Sequence, residues 1–525
     1  MIDFRKGFQS NQSYTNVQNL IVYFVSVLFV LYLFGKNVFA QFWLIDDHSI
    51  ITFIGDGGKT ILNFFDMLAT TEVWQFGTSN RYRPGYYTWY ILESITWGFH
   101  PMAWYISRLF MASVFIYSMI YTLRHFVGVV AAILFTAYLF TFSFWNDIWS
   151  RLGTGEVYAA CGLGAFIIAF INLRTQILSG NRKWFHLHLA LLSFGVFTAA
   201  GSKENFVLLA LPLLYLLVIG FQKNKKIFNV FTAVIFANLL FISWIVLAIV
   251  LALAKSKVDF YVNPVTVSSR SMLLIKLFKI KFIQGTLLLS SISFLLSFYL
   301  SKKTKWTELS VMLKKLAFVY ATCFFLYLTQ YIFYNGNWPT GMRYDFPGFL
   351  CSPLFYLSSF VFLTNLCIQK FSFLNGKKAY FNFILSVILT GIVLKVGFVA
   401  IRNGAENNLS RTTETYNNLK KVAELVRGTS DAIVLESHLP INYESYFSIK
   451  SFMRYYYKID NPIYLRVHGY SVETESDPLM KNLAIALVGI AEQDKAAVDS
   501  LINNCVSINL SGDTQTNCQP GVRFW

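Results

Sequence analysis

Two carboxylates stand side by side in the run Trp43-Leu44-Ile45-Asp46-Asp47-His48. Carboxylates held that close repel each other, so the pair calls for a role or a cation unless a solvated loop separates the charges. Further along come Arg81-Tyr82-Arg83-Pro84-Gly85, then Asp147 and Arg151, then Gly153-Thr154-Gly155-Glu156. Two more charged turns follow, Gly201-Ser202-Lys203-Glu204 and Gly341-Met342-Arg343-Tyr344-Asp345-Phe346-Pro347. Each has a plain reading: headgroup anchoring for Arg81 and Arg83, and a structural ion pair for Asp147 and Arg151 at helical i, i+4 spacing. Taken together, a few cations beside a carboxylate pair suit a phosphate and a hydroxyl group that must lose its proton.

The elements that would bring these groups together are apolar. The 525 residues are 55% hydrophobic and 14% charged, with a mean hydropathy of +0.49. These values lie outside the range of ordinary globular chains and make lipid the solvent. Apolar runs near the roughly 20 residues needed to cross the hydrocarbon core recur from Leu20 to Ala400. They predict about eleven transmembrane helices, near 18–40, 100–122, 127–145, 155–173, 185–200, 205–221, 228–253, 282–300, 316–334, 348–367 and 381–400. Tyr86 to Gly98 is short and carries Glu93, which suits a helix lying in the interface or an extension of the second span.

Lysine and arginine favour cytoplasmic loops. Arg5 and Lys6, Arg124, Arg174 with Arg182 and Lys183, the Lys223, Lys225 and Lys226 cluster, Lys302 to Lys315 and Lys370 to Lys378 all fall on one side. That pattern puts the N-terminus inside, and every charged motif above together with the C-terminus outside. The formal charge of +17 is then mostly a topology signal rather than the mark of a nucleic-acid binder. Lys276, Lys279 and Lys281 disagree; they sit in an amphipathic run from Met272 to Phe282 that suits an outer-surface helix. Lys36, Arg108 and Lys395 are rare charges within spans, each near enough to an outer end to snorkel. The first span is read as an anchor, with a signal peptide cleaved after Ala40 as the alternative.

Residues 1–402 form the membrane part and 403–525 a soluble α/β domain. The domain shows helical patterns near Thr412 to Val426 and Tyr443 to Tyr457, strands at Ala432 to Leu435 and Ile463 to Val467, and apolar runs at Leu483 to Ile490 and Val506 to Leu510. Cys161, Cys323, Cys351 and Cys367 sit in spans as small packing residues, whereas Cys505 and Cys518 lie close together among polar residues and suit a disulfide. No metal-ligand spacing occurs.

Across the whole membrane part these residues resemble the polyprenol-phosphate-sugar-dependent glycosyltransferases of the GT-C fold. Asp46-Asp47 looks like the acidic signature of the first outer loop. Arg81-Tyr82-Arg83-Pro84 through Gly98-Phe99-His100-Pro101, with Gly201-Ser202-Lys203-Glu204, is similar to stretches of the TMTC-type protein O-mannosyltransferases. Arg343-Tyr344 and Pro347 look like a motif of aminoarabinose-transferase-like members. The chain departs from the TMTC type in lacking tetratricopeptide repeats, which leaves the acceptor open.

The resemblance implies inverting transfer of a sugar from a polyprenyl-phosphate donor to an extracytoplasmic acceptor, a glycan, lipid or protein. Asp46 would be the base and Asp47 its orienting neighbour, while Arg81, Arg83, Arg151, Lys203 and Arg343 would bind the donor phosphate, with His48, Glu204 and Tyr344 in support. No cofactor is required, although the carboxylate pair could bind a divalent metal. The expected setting is a bacterial inner membrane and a cell-envelope glycan. Alternatives are a transporter or flippase of a lipid-linked substrate, an O-antigen polymerase or ligase, and a membrane anchor for the α/β domain.

Overall fold

The computed structural model describes residues 12–523 apart from 79–80, 181–182, 224–227, 334–340, 372–373, 375–377, 438–441, 469–477, 502–503 and 511–517; between 256 and 305 it describes only 276, 283–285, 288–292 and 295–296. The expected span at 282–300 and the lysine-bearing run from Met272 to Phe282 therefore lie largely outside the described residues. Arg5, Lys6, Arg182, Lys225 and Lys226 also lie outside them.

The chain is a polytopic helical membrane protein. Seven helices among the described residues are long and apolar enough to cross a bilayer: Asn16–Phe39, Pro101–Val127, Gly155–Ser179, Glu204–Gln222, Val230–Ala252, Gly348–Ile368 and Ala379–Val396. Their outward faces are bare hydrocarbon, with Leu28 65%, Leu240 68% and Leu394 78% exposed, and such surface is stable only against lipid.

In chain order the helices that matter for the site are α1 (Gln12–Phe34), α2 (His48–Ile54), α3 (Pro84–Trp97), α4 (Pro101–Val127), α5 (Val129–Leu139), α6 (Phe144–Trp149), α7 (Gly155–Ser179) and α8 (Phe185–Ala200). Proline opens α3 and α4, where the missing N–H has no partner to lose. The apolar run 127–145, read from the sequence as one span, is divided. It forms the 11-residue α5, a turn at Phe140 to Ser143, and the short α6. Trp145 Nε1 donates to the Leu139 carbonyl at 2.8 Å and Thr141 Oγ1 to that of Tyr138 at 2.8 Å. Phe140 and Trp145 stack at 4.5 Å, so the chain bends without uncovering its aromatic rings.

Beyond the last apolar helix, α9 (Val399–Val426) runs for 28 residues without a break and crosses the expected boundary at 402/403. It leads into four strands, β1 (Ala432–Ser437), β2 (Ile463–Val467), β3 (Cys505–Asn509) and β4 (Gln519–Arg523). All pair in parallel, in the order β2-β1-β3-β4. Helix α10 (Asn442–Ser451) connects β1 to β2, and α11 (Pro478–Asp499) connects β2 to β3.

This layer does not stand apart from the bundle. One buried cluster joins Ala40, Phe42, Leu44, Ile50 and Ile51 to Leu419, Ile433, Leu435, Ile449 and Ile508. Burial of each of the leucine, isoleucine and phenylalanine side chains contributes about 1.5–3 kcal/mol. Polar ties follow the same seam: Asn408 Nδ2 donates to Asn37 Oδ1 at 2.9 Å, Gln41 N donates to Thr412 Oγ1 at 3.1 Å, and Ser448 Oγ donates to the Leu44 carbonyl.

Candidate active site

The segment between α1 and α2 sorts its two carboxylates into different environments. Asp47 is fully buried: its Oδ2 accepts from Trp43 N at 2.8 Å and its Oδ1 from Gly153 N at 3.1 Å. Burial pushes its pKa from the usual carboxylate range up to about 7 against the pull of those two backbone donors, with Asp46 adding to the rise. Asp46 turns the other way. Its φ of 71° is left-handed, a conformation that aspartate tolerates better than most residues. Its carboxylate meets Arg343 Nη1 at 2.8 Å and Arg151 Nη1 at 3.5 Å. The Tyr90 hydroxyl donates to the Asp46 carbonyl at 3.1 Å. Gly153 permits the arrangement, because a Cβ there would lie 2.6 Å from the Asp46 carbonyl oxygen.

From Asp46 the charges continue as a chain. Arg151 Nε bonds Asp147 at 2.7 Å, the ion pair that the i, i+4 spacing suggested. The Arg343 backbone N–H donates to Asp147 at 3.1 Å. Arg343 Nε lies 4.0 Å from Glu156, and Glu156 holds Lys203 Nζ at 2.6 Å. Tyr344 closes the far side: Arg343 and Lys203 lie 5.2 Å and 5.3 Å from its ring centre, and its hydroxyl accepts from Arg343 Nη2 at 3.3 Å. Burial alone would depress the Arg343 guanidinium, but Asp46 and Glu156 outweigh it and hold the group charged. The three cations Arg151, Lys203 and Arg343 thus face the three carboxylates Asp46, Asp147 and Glu156 in formal balance. Nothing in the sequence assigns Glu156 a site role. Its signal was its place in the first turn of α7, where acids favour a helix N-terminus.

Arg83 is not part of this chain of contacts. Its guanidinium meets Glu72 at 3.2 Å and Glu204 at 4.0 Å and lies 5.0 Å from the centre of the Tyr86 ring. The Tyr86 hydroxyl donates to the Gly153 carbonyl at 2.9 Å, so that ring stands between Arg83 and the Asp46 loop. Glu204, expected as a supporting residue, serves Arg83. Arg81 is exposed and belongs to the same flank. His48 opens α2, and burial holds its imidazole below the ordinary value and therefore neutral near pH 7. The glycines of the two basic motifs explain why the Arg83 and Lys203 turns meet. Tyr86 N donates to the Gly201 carbonyl at 3.0 Å, and a Cβ on Gly85 would lie 2.3 Å from the Phe197 carbonyl oxygen.

Arg108 corrects an expectation. It does not snorkel: it is fully buried and reaches both oxygens of Glu93, at 3.0 Å and 2.8 Å. Its other nitrogen donates to the Tyr158 hydroxyl at 2.9 Å and to the Leu152 carbonyl at 3.0 Å. Leu152 lies between Arg151 and Gly153, so this pair anchors the turn that touches both aspartates. In the strand layer, Cys505 and Cys518 form a disulfide at the start of β3 and β4.

No protein-family model matches the chain, and no curated protein matches it by sequence.

Proposed function

We propose that the protein is a membrane glycosyltransferase that moves a sugar from a polyprenyl-phosphate donor to an extracytoplasmic acceptor with inversion. In this reading it has about eleven spans of the GT-C kind, its N-terminus is cytoplasmic in a bacterial inner membrane, and residues 403–525 act as an α/β domain on the outer side. The observation that carries the reading is the sorting of the aspartates: Asp47 is buried on two backbone N–H groups, while Asp46 faces two guanidiniums. Adjacent acids pushed into different environments mark acid–base sites.

The acceptor oxygen attacks the anomeric carbon and gives its proton to Asp46, and the bond from that carbon to the phosphate oxygen breaks with its electron pair leaving on the phosphate. Asp46 loses one negative charge in the step in which the lipid phosphate gains one. Arg343 and Arg151 can therefore pass from one to the other with no change in the net charge of the site. Lys203 extends the cationic surface toward the phosphate, while Glu156 bridges Lys203 and Arg343 and orients them. Arg81 and Arg83 are the donor's outer contacts in this scheme, and no cofactor is invoked.

The test is transfer of radiolabelled sugar from polyprenyl phosphate by the purified protein in lipid, with mass spectrometry of co-purified lipid. A bound polyprenyl-phosphate sugar that turns over supports the reading. A protein that moves lipid-linked sugar across vesicles without transferring it is a flippase.

A further inference from the structure

We propose that the segment from Ile61 to Trp74 is a membrane-docking surface, seated in the leaflet nearer Asp46 through Ile61, Leu62, Phe65 and Trp74. It lies between α2 and α3 and belongs to none of the seven spans.

The segment folds as three short helical turns, Ile61–Asn63, Phe64–Ala69 and Glu72–Trp74. Threonines fasten them. Thr60 Oγ1 accepts from Leu62 N at 3.3 Å, Thr70 Oγ1 and Thr71 Oγ1 donate to the Met67 and Leu68 carbonyls at 2.7 Å, and Thr71 Oγ1 also accepts from Val73 N at 3.3 Å. Backbone groups bonded within the chain in this way suit contact with lipid, where water cannot serve them. The turns sort their side chains into two sets. Met67 is buried and Val73 packs against the main core, whereas Leu62 is 87%, Phe65 76% and Trp74 74% exposed. Those values match the leucines on the lipid faces of the spans. Turns that hold several large apolar side chains outward mark a contact surface.

What covers that surface follows from where the segment leads. Phe76 stacks on Trp244 at 4.3 Å, and Trp244 Nε1 donates to the Tyr82 hydroxyl at 3.0 Å. Trp244 stands on the span Val230–Ala252, eight residues, or about 12 Å of helix, inside its end at Ala252. The Phe76 ring therefore reaches into the hydrocarbon layer. Gly77 fits against Leu251 near the end of the same span, where a Cβ on the glycine would lie 3.1 Å from that of the leucine. Leu240, Leu247 and Val250 on this helix are exposed, so the apolar surface from Ile61 to Trp74 continues a lipid-facing one at the boundary where it ends. Tryptophan suits that depth, with an apolar ring and one N–H for the headgroups. Lys59 and Asp66 are exposed beside it and keep the segment at headgroup level. Glu72, within the segment, holds Arg83 at 3.2 Å, so the seat in the leaflet also sets the level of that guanidinium. The surface is independent of transfer chemistry at Asp46 and is tested by what it touches.

The full chain is placed in nanodiscs of phosphatidylethanolamine and phosphatidylglycerol with the photo-crosslinker benzoylphenylalanine built in singly at Leu62 or Phe65. Leu240 serves as the lipid reference and Lys420, exposed on α9, as the water reference. Mass spectrometry after irradiation reads what each position has captured. Phospholipid adducts are expected at Leu62 and Phe65 at the yield found for Leu240 and above that for Lys420. The proposal is overturned if both positions capture no more phospholipid than Lys420 does, or if they crosslink chiefly to a second copy of the chain or to another part of the same chain. Trp74 gives a separate reading: the emission lost in Trp74→Phe should be quenched by brominated lipid and shielded from aqueous iodide, and the reverse pattern also overturns the proposal.

Discussion

Arg343 Nη1 lies 2.8 Å from Asp46 Oδ2, joining two residues 297 positions apart. The pairing also fixes what Asp46→Asn should do. Asparagine accepts the left-handed φ of this position as well as aspartate does, so the variant stays folded and binds donor. Transfer falls by roughly a hundredfold or more, the usual contribution of a general base. Transfer by the purified variant, with donor binding measured in parallel, checks this; near wild-type transfer removes Asp46 as the base.

Asp47→Asn acts on stability first. An amide offers one acceptor oxygen where the carboxylate offers two to Trp43 N and Gly153 N, leaving one buried N–H opposed by an NH₂ group. The expected cost is about 1–3 kcal/mol, with a smaller direct effect on transfer than Asp46→Asn. Unfolding temperatures in detergent read the cost.

The same carboxyl gives stability a pH dependence. Folded Asp47 holds its proton up to about pH 7, whereas the unfolded chain releases it in the ordinary carboxylate range. Between about pH 4 and about pH 7 the folded state therefore binds more protons, and raising the pH favours unfolding. The contribution is fully present at the acid end of that window and lost above it. The unfolding temperature of the wild type relative to Asp47→Asn should fall across the window; a constant difference would contradict the assignment.

Gly153→Ala should uncouple the site from its scaffold. Its Cβ would meet the Asp46 carbonyl oxygen at 2.6 Å and the Asp46 Cβ at 2.7 Å, and neither side can give without moving the Asp46 loop. Transfer and unfolding temperature should both drop. Gly391→Ala, whose Cβ enters open space, is the control that should change neither.

Arg108→Met leaves Glu93 buried without its guanidinium partner and should cost about 3–5 kcal/mol. Arg108→Met combined with Glu93→Gln should recover part of that loss. A double variant no more stable than Arg108→Met would show that the pair is not the energetic unit.

Chemistry-bearing motifs were readable because membrane chains confine charge to few places. The pairing of Asp147 with Arg151, and strands beginning at Ala432 and Ile463, follow from local spacing and local β-branched runs. What periodicity could not carry was partner choice across the fold. Arg108 looked like a snorkelling cation because its acid, Glu93, lies on a different helix. Arg83 looked equivalent to Arg343, yet the Tyr86 ring stands between Arg83 and the Asp46 loop. The apolar run 127–145 gave no sign of its turn, since the group that caps α5 is a single indole N–H on Trp145 within a run of aromatic residues.

Helix α9, unbroken over 28 residues and about 42 Å long at 1.5 Å per residue, is in mechanical terms a stiff shaft. Its first half is bolted to the segment just ahead of the aspartates through Glu406 with Lys36, Asn408 with Asn37 and Thr412 with Gln41, while its last turns lie in the core beneath the strands. A load on the sheet has no soft joint along that shaft in which to dissipate. It arrives as torque on the segment that carries Asp46.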